Sequence, residues 1–527
     1  MLTLAPGKDA DLGADLVQGY VPGTAAVSVS LATWRSLPIS GVLRSLDRYP
    51  YGCIEQTTSR AFPLLYFNDV ALLTHDKADA GVRFRVQKAV DRVVDMQRAD
   101  GNFGFWGPSY PAYDWLSVYA LDFLFSARAQ GYAVSDDTLR RGQAWLRQLV
   151  QAEPVQQARY ENRPKGVFNA TRDYAAYLLA RIGGASLADL RYLYDTTSSG
   201  TRRALPEGQL AAALDLAGDV SRSRAAFSRV ESLALGPVRG PFRLFYDDDY
   251  YGSSLRDWAG LVRVAAEAKQ TTLVNRLFQR FESVTDLPED LTTQEKAWLM
   301  LAEHALAEHR TPVQATINGE TVTQTGDPVT LTPEAAAIGK GYRITNRGDR
   351  ELFASVTVEG VPSEPLPPEA KGATLSRAFL TLDGKPVDLA HLKQNDRIIV
   401  ALTGKVSDER HHEMVVRDLL PAGLEIEGPV RVNDDGATPY DFLDRQRFTR
   451  LVEARDDRYV ASFVVSGNGG YYWGDDDRES DVNFSLAYIV RAITPGTYIL
   501  PAAAIEDMYR PSVRARTAMG SLVIEPR

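Results

Sequence analysis

The chain has 527 residues, too long for one hydrophobic core, so about three domains are expected. Its composition is that of a globular protein, 44% hydrophobic, 9% aromatic and 24% charged, and no apolar run reaches the length of a membrane-crossing helix. With 59 Lys and Arg against 68 Asp and Glu the net charge is -9, which argues against nucleic acid as a partner, and a single cysteine excludes an internal disulfide and a cysteine-rich metal site. The opening MLTLAPGKDADLGADL has no basic start followed by an apolar stretch, so no signal peptide is expected within it. A targeting signal upstream, in a longer protein, stays open.

Residues 25–33, AAVSVSLAT, alternate small apolar and polar residues and predict a strand. From about Leu37 to about His309 the period is helical. The segments 85–98, 115–128, 137–150, 171–182, 255–269 and 294–309 all space apolar residues at three and four, and about ten to twelve helices are expected in this stretch. The segment beginning at Trp115 carries few charges and is expected inside the assembly, whereas 137–150 is amphipathic. Alternating inner and outer helices predict an α/α barrel or toroid rather than a four-helix bundle. After His309 short strands separated by Asn-Gly and Gly-Asp turns take over. PSEPLPPEAKG (362–372) reads as a linker, and the remainder as an antiparallel sandwich. Strands before and after the helical block are expected to belong to one small β-domain into which the helices are inserted.

The lone cysteine lies in YPYGCIEQTTSRAFPLLYF (49–67). A cysteine hydrolase needs a histidine base, and none of the six histidines, His75, His304, His309, His391, His411 and His412, stands in a context that singles it out. Cys53 and Gln56 are three residues apart at the start of a helix, so their side chains can face one another. Attack of the thiol on the Gln56 carboxamide, with loss of ammonia, would close a thiolactone ring. GCIEQ resembles the internal thioester motif of the alpha-2-macroglobulin and complement family, and Ile54 in the middle fits its bacterial branch better than its vertebrate one. QRADGNFGFWG (97–107) resembles the repeat of α/α-toroid domains, where Gln97, Asp100, Gly101, Phe103 and Trp106 read as a capped turn with aromatic packing. IEDMYRPSVRARTAMGSLVIEP (505–526) resembles the last strands of bacterial members.

The resemblance implies a multidomain α and β fold. A toroid thioester domain (37–310) is inserted in a small CUB-like β-sandwich domain (1–36 and 311–366), and a macroglobulin-like β-sandwich (367–527) follows. Cys53 and Gln56 form the cross-link, Glu55 supports it, and Tyr49, Tyr51, Met508 and Tyr509 shield it from water. The implied function is the thioester-bearing part of a broad protease inhibitor that acylates protease lysines once and does not turn over, so it is not an enzyme. Target proteases and absent N-terminal macroglobulin-like domains are its expected partners, and a monomer is its expected state. Its expected location is the periplasm, with an inner-membrane lipid anchor outside this chain. No cofactor or metal is expected. PSYPAYDWLSVYA (108–120) offers Tyr110, Tyr113 and Asp114 where some complement-type members place a histidine that promotes transfer to hydroxyls, so amines should be preferred. The alternatives are a toroid enzyme, such as a cyclase or glycan-processing enzyme, and a non-covalent interaction module. The cyclase Asp-x-Asp-Asp motif is missing. Asp247–Asp249 and Asp475–Asp477 lack calcium-loop spacing, His411–His412–Glu413 is not the zinc-protease motif, and SGNGGYYWG (466–474) follows no phosphate-loop pattern.

Overall fold

The computed structural model describes residues 2–33, 52–66, 79–152, 165–196, 203–236, 252–282, 291–306, 312–324, 329–339, 341–430, 438–466 and 482–527, with Val42 and Leu46. Tyr49, Tyr51, His75, His309 and both acidic clusters lie outside them, as does nearly all of the glycine-rich 466–474 stretch. The chain divides into two compact units, one of Met1–Pro288 with Thr293–Ser363 and one of Glu364–Arg527 with the short segment Glu289–Thr292.

The first unit opens with β1 (Leu2–Leu4), β2 (Asp9–Leu12) and β3 (Ala26–Ala32). After the helices come β4 (Val313–Ile317), β5 (Glu320–Gln324), β6 (Val329–Leu331), β7 (Tyr342–Asn346) and β8 (Leu352–Glu359). These strands form two antiparallel four-stranded sheets, β1-β8-β3-β6 and β2-β7-β4-β5, each containing strands from both sides of the helical block. Val29 pairs with Val356 and Ala10 with Ile344, so the alternating apolar faces meet in one core around Val27, Leu31, Ala315 and Leu352. The helices are therefore an insertion in a β-sandwich. The Asn318-Gly319 hairpin legible in the sequence joins β4 to β5 with both residues at positive φ, 49° and 90°, as a two-residue turn of this hand requires.

Eleven helices follow one another between the strands among the described residues. Ile54–Leu64 (α1), Asp114–Ala129 (α3), Lys165–Arg181 (α5), Ala204–Leu216 (α7), Ser254–Glu267 (α9) and Thr293–Ala305 (α11) are buried around most of their described circumference. Asp79–Asp95 (α2), Asp136–Gln151 (α4), Leu187–Thr196 (α6), Val220–Leu235 (α8) and Thr271–Glu282 (α10) each expose a polar face. That strict alternation is an inner ring within an outer ring, and α11 packs back on α1 to close it. The charge-poor run from Trp115 does lie inside. Along the axis Trp115, Tyr119, Tyr174 and Trp298 stack at centroid distances of 5.4 to 6.5 Å, so the centre of the toroid is filled.

The second unit is a β-sandwich. Ala373–Leu380, Arg397–Val406, Asn483–Ala492 and Leu424–Pro429 form one four-stranded sheet. Leu451–Arg455, Arg458–Val465, His412–Leu419, Ala503–Asp507, Arg514–Arg516 and Glu369–Lys371 form a six-stranded one. Leu402, Met414, Val416, Phe463, Leu486 and Val490 fill the space between. The segment read as a linker over 362–372 is only partly one. Its prolines end at Pro368, and once backbone N–H donors return, Glu369–Lys371 pairs antiparallel with Arg514–Arg516.

Candidate functional site

Cys53 is the N-cap of α1, extended at φ -68° and ψ 166°, and fully buried. Its sulfur accepts a hydrogen bond from the Gln56 backbone N–H at 3.4 Å, at the positive end of the helix where a departing thiolate is stabilised. The helix start is tied down from outside, because the Ile54 N–H donates to the Phe105 carbonyl at 2.9 Å.

Gln56 is also fully buried, and neither its Oε1 nor its Nε2 finds a hydrogen-bond partner among the described residues. A buried amide left in that state costs about 1–3 kcal/mol for each unmatched group. The cost of the two N–H donors disappears if the nitrogen leaves as ammonia and the acyl carbon bonds to sulfur instead.

Glu55, between them, points to α11, the helix that closes the ring. Its Oε1 accepts from Ser59 Oγ at 2.8 Å, Thr293 Oγ1 at 2.8 Å and Gln294 Nε2 at 2.9 Å, while Oε2 has no partner among the described residues. Burial pushes its carboxyl above the ordinary range, against the opposing pull of those hydrogen bonds, so Glu55 holds its proton more tightly than an exposed glutamate. Ser59 Oγ lies 3.3 Å from Tyr119 Oη, and Gln294 Oε1 accepts from Trp298 Nε1 at 3.0 Å, which joins the thioester helix to the aromatic axis.

The 97–107 turn lies against this helix start. Gln97 Nε2 donates to the Gly101 carbonyl at 3.2 Å and to the Thr138 carbonyl at 3.0 Å, and the N–H of buried Phe103 donates to Ser117 Oγ at 3.1 Å. Gly101 has φ 99°, and a Cβ there would stand 2.4 Å from the Arg141 carbonyl oxygen, so only glycine fits. Asp100 is exposed beside Arg98. Phe105, passed over in the sequence, is the residue that bonds α1. Its ring meets Trp106 and Tyr113 edge-on at 5.4 Å each, and all three are buried. The aromatic-rich spacing GNFGFWG was visible, but nothing in it tells Phe105 from Phe103.

His304 is at the other end of the ring seam from the thioester. It stacks on Tyr66 at 4.2 Å, past the end of α1, and is ten residues from Gln294, or about 15 Å along the helix. Tyr110 is partly exposed, Tyr113 is buried, and Asp114 begins α3. Met508 and Tyr509 are buried in the second unit, in a turn with every early amide engaged. Met508 N–H donates to the Glu413 carbonyl at 2.9 Å, and Asp507 Oδ1 accepts from the N–H groups of Tyr509 at 2.8 Å and Arg510 at 3.1 Å. Asp507 Oδ2 in turn lies 2.7 Å from His412 Nδ1, so the second histidine of His411–His412–Glu413 braces this turn.

Known proteins are similar to this chain in sequence and fold. The family model of the A-macroglobulin TED domain matches residues 27–179, and that of the bacterial alpha-2-macroglobulin MG10 domain matches 372–512. The alpha-2-macroglobulin of Escherichia coli K12 is 32% identical over 537 residues, covering 99% of this chain and 31% of that protein. Its namesake from Xylella fastidiosa Temecula1 is 30% identical over 527 residues, covering 95% of this chain and 30% of that protein. The chain thus spans about a third of the length of these relatives. The crystal structure of native Escherichia coli alpha-2-macroglobulin from domain MG7 to the C-terminus superposes with a TM-score of 0.81 at 30% identity, over 100% of this chain and 81% of that one. Salmonella alpha-2-macroglobulin reacted with methylamine gives 0.80 at 29% identity, over 100% of this chain and 33% of that one.

Proposed function

Since the chain belongs to the bacterial alpha-2-macroglobulin family, we propose that it carries the reactive thioester of a single-use covalent protease trap working in the periplasm. One observation carries this reading. The Gln56 carboxamide is buried without partners among the described residues, on the same helical turn as the Cys53 sulfur. The Cys53 thiol adds to Gln56 Cδ, the C–N bond breaks, and the thiol proton leaves with the nitrogen as ammonia. A lysine amine later adds to the same carbon, the C–S bond breaks, and the sulfur departs as a thiol with the proton that the amine gives up. No oxidant or metal enters either balance. The relative from Salmonella reacts with methylamine, an amine of the same kind. The filled axis of the toroid speaks against the enzyme alternative, whose substrate would need that space.

Intact mass of the freshly purified chain should fall one ammonia below the sequence mass. Methylamine should add to Gln56 with release of one titratable thiol, and Cys53→Ala should abolish both. An untreated chain at full sequence mass, with Cys53 open to thiol reagents from the start, sinks the proposal and leaves the interaction module.

The resemblance assigns part of the thioester's cover to the C-terminal sandwich, and the proposal extends to Met508 and Tyr509. Both are buried, both sit on a turn with a pinned backbone, and neither brings an amine. Met508→Ala or Tyr509→Ala should raise spontaneous hydrolysis severalfold with the fold intact. Wild-type hydrolysis rates in both variants would place the cover elsewhere.

A further inference from the structure

The groups that hold Glu55 come from far away in the chain. Thr293 and Gln294 are 238 and 239 positions from it, at the start of the helix that closes the ring. We propose that Thr293 and Gln294 are positioning residues for thioester formation, acting through Glu55 to fix the turn on which Cys53 and Gln56 react. The inference rests on the thioester reading above.

Ring closure joins two groups on one helical turn, and its rate depends on how narrowly that turn holds them. The first turn of a helix is where the backbone is least constrained, because its leading N–H groups have no partner within the helix. Here the internal cap is a single N–H···S contact to a weak sulfur acceptor. Of the bonds that Glu55 Oε1 accepts, the one from Ser59 lies within the same helix and cannot fix its rotation, while those from Thr293 and Gln294 tie it to the ring. Glu55 stands between the two reacting residues, so a rotation of the turn that moves one moves both. Thr293 and Gln294 are themselves buried, which keeps water from competing for the same oxygen. Gln294 also donates to Ser59 Oγ at 3.0 Å, which anchors the next turn from the same side chain.

The test follows ring closure in Thr293→Val and Gln294→Leu, each of which removes one link to Glu55 and leaves the other to hold the fold. Thr293→Ser keeps the hydroxyl. Intact mass is followed through a pulse of expression, with circular dichroism and thermal melting on the same samples. The ammonia-deficient fraction should grow about tenfold more slowly in Thr293→Val than in wild type, the effect of one buried hydrogen bond, and at least as slowly in Gln294→Leu, which also removes the bonds to Ser59 and Trp298. Thr293→Ser should restore the wild-type rate. A merely structural role predicts a lowered melting temperature with unchanged closure in the folded fraction. Closure at the wild-type rate in either folded variant therefore overturns the proposal. A wild type that never loses ammonia is a different result, and it removes the thioester reading itself.

Discussion

Asp122→Ala is expected to destabilise the helical ring by about 3–5 kcal/mol, the cost of removing one partner from a buried ion pair. Asp122 is fully buried in the middle of α3. Its Oδ1 accepts from Arg181 at 2.6 Å, and its Oδ2 accepts from Arg263 at 3.0 Å and from Tyr174 Oη at 2.7 Å. Arg263, itself buried, also donates to Glu267 at 2.9 Å, so two carboxylates balance two guanidinium groups across helices α3, α5 and α9. Burial alone would raise the Asp122 carboxyl, but Arg263 and Arg181 outweigh it and hold the group down to about 2, against an ordinary 3.8. A depressed carboxyl contributes stability that is fully present above its ordinary range and is lost as pH falls through the folded value. The ring should therefore lose this contribution between about pH 4 and pH 2, and Asp122→Ala should flatten that part of the stability profile while lowering its plateau. Urea unfolding across this range measures both. A variant within about 1 kcal/mol of wild type at neutral pH would show that the two arginines find other partners.

Asp122 also shows what a sequence discloses. A lone aspartate inside the apolar run WLSVYALDFLF had to be paired if that helix was internal, and the internal position was legible from its few charges. The partners were not legible, since Arg263 lies 141 positions away and nothing local distinguishes it from the other arginines. The thioester pair divides in the same manner. A single cysteine with a glutamine three residues on is a local signal, strong enough to name Cys53 and Gln56. The Gln56 amide without a partner among the described residues, the Phe105 carbonyl that holds Ile54, and the grip of Thr293 and Gln294 on Glu55 are products of the helices closing into a ring, which leaves no mark in local spacing. The expectation of a linker over 362–372 went too far for the opposite reason. Four prolines dominated a segment whose last residues had every donor a strand needs.

The acyl group should pass to amines at least about a hundredfold faster than to hydroxyls, the lower end of what a positioned general base contributes. A hydroxyl is a weak nucleophile at neutral pH and needs either a base to take its proton or a histidine that first accepts the acyl group. Among the described residues of the helical unit the only histidine is His304. His304 is committed to Tyr66 at the far end of α1 and α11. The loop bonded to the start of α1 brings the aromatic rings of Phe105, Trp106 and Tyr113. Glu55, which burial keeps toward its neutral form, is poorly placed to serve as a base. An unprotonated amine needs no such help, because its own lone pair attacks and its proton leaves with the sulfur. Methylamine and glycerol supplied together at equal concentration, with adducts at Gln56 resolved by peptide mass, give the ratio directly. Glycerol incorporation within about tenfold of methylamine would mean that a base reaches the acyl carbon after all. His304→Gln would then show whether that base is His304, since the substitution should restore the preference for amines only if the imidazole leaves Tyr66 to act.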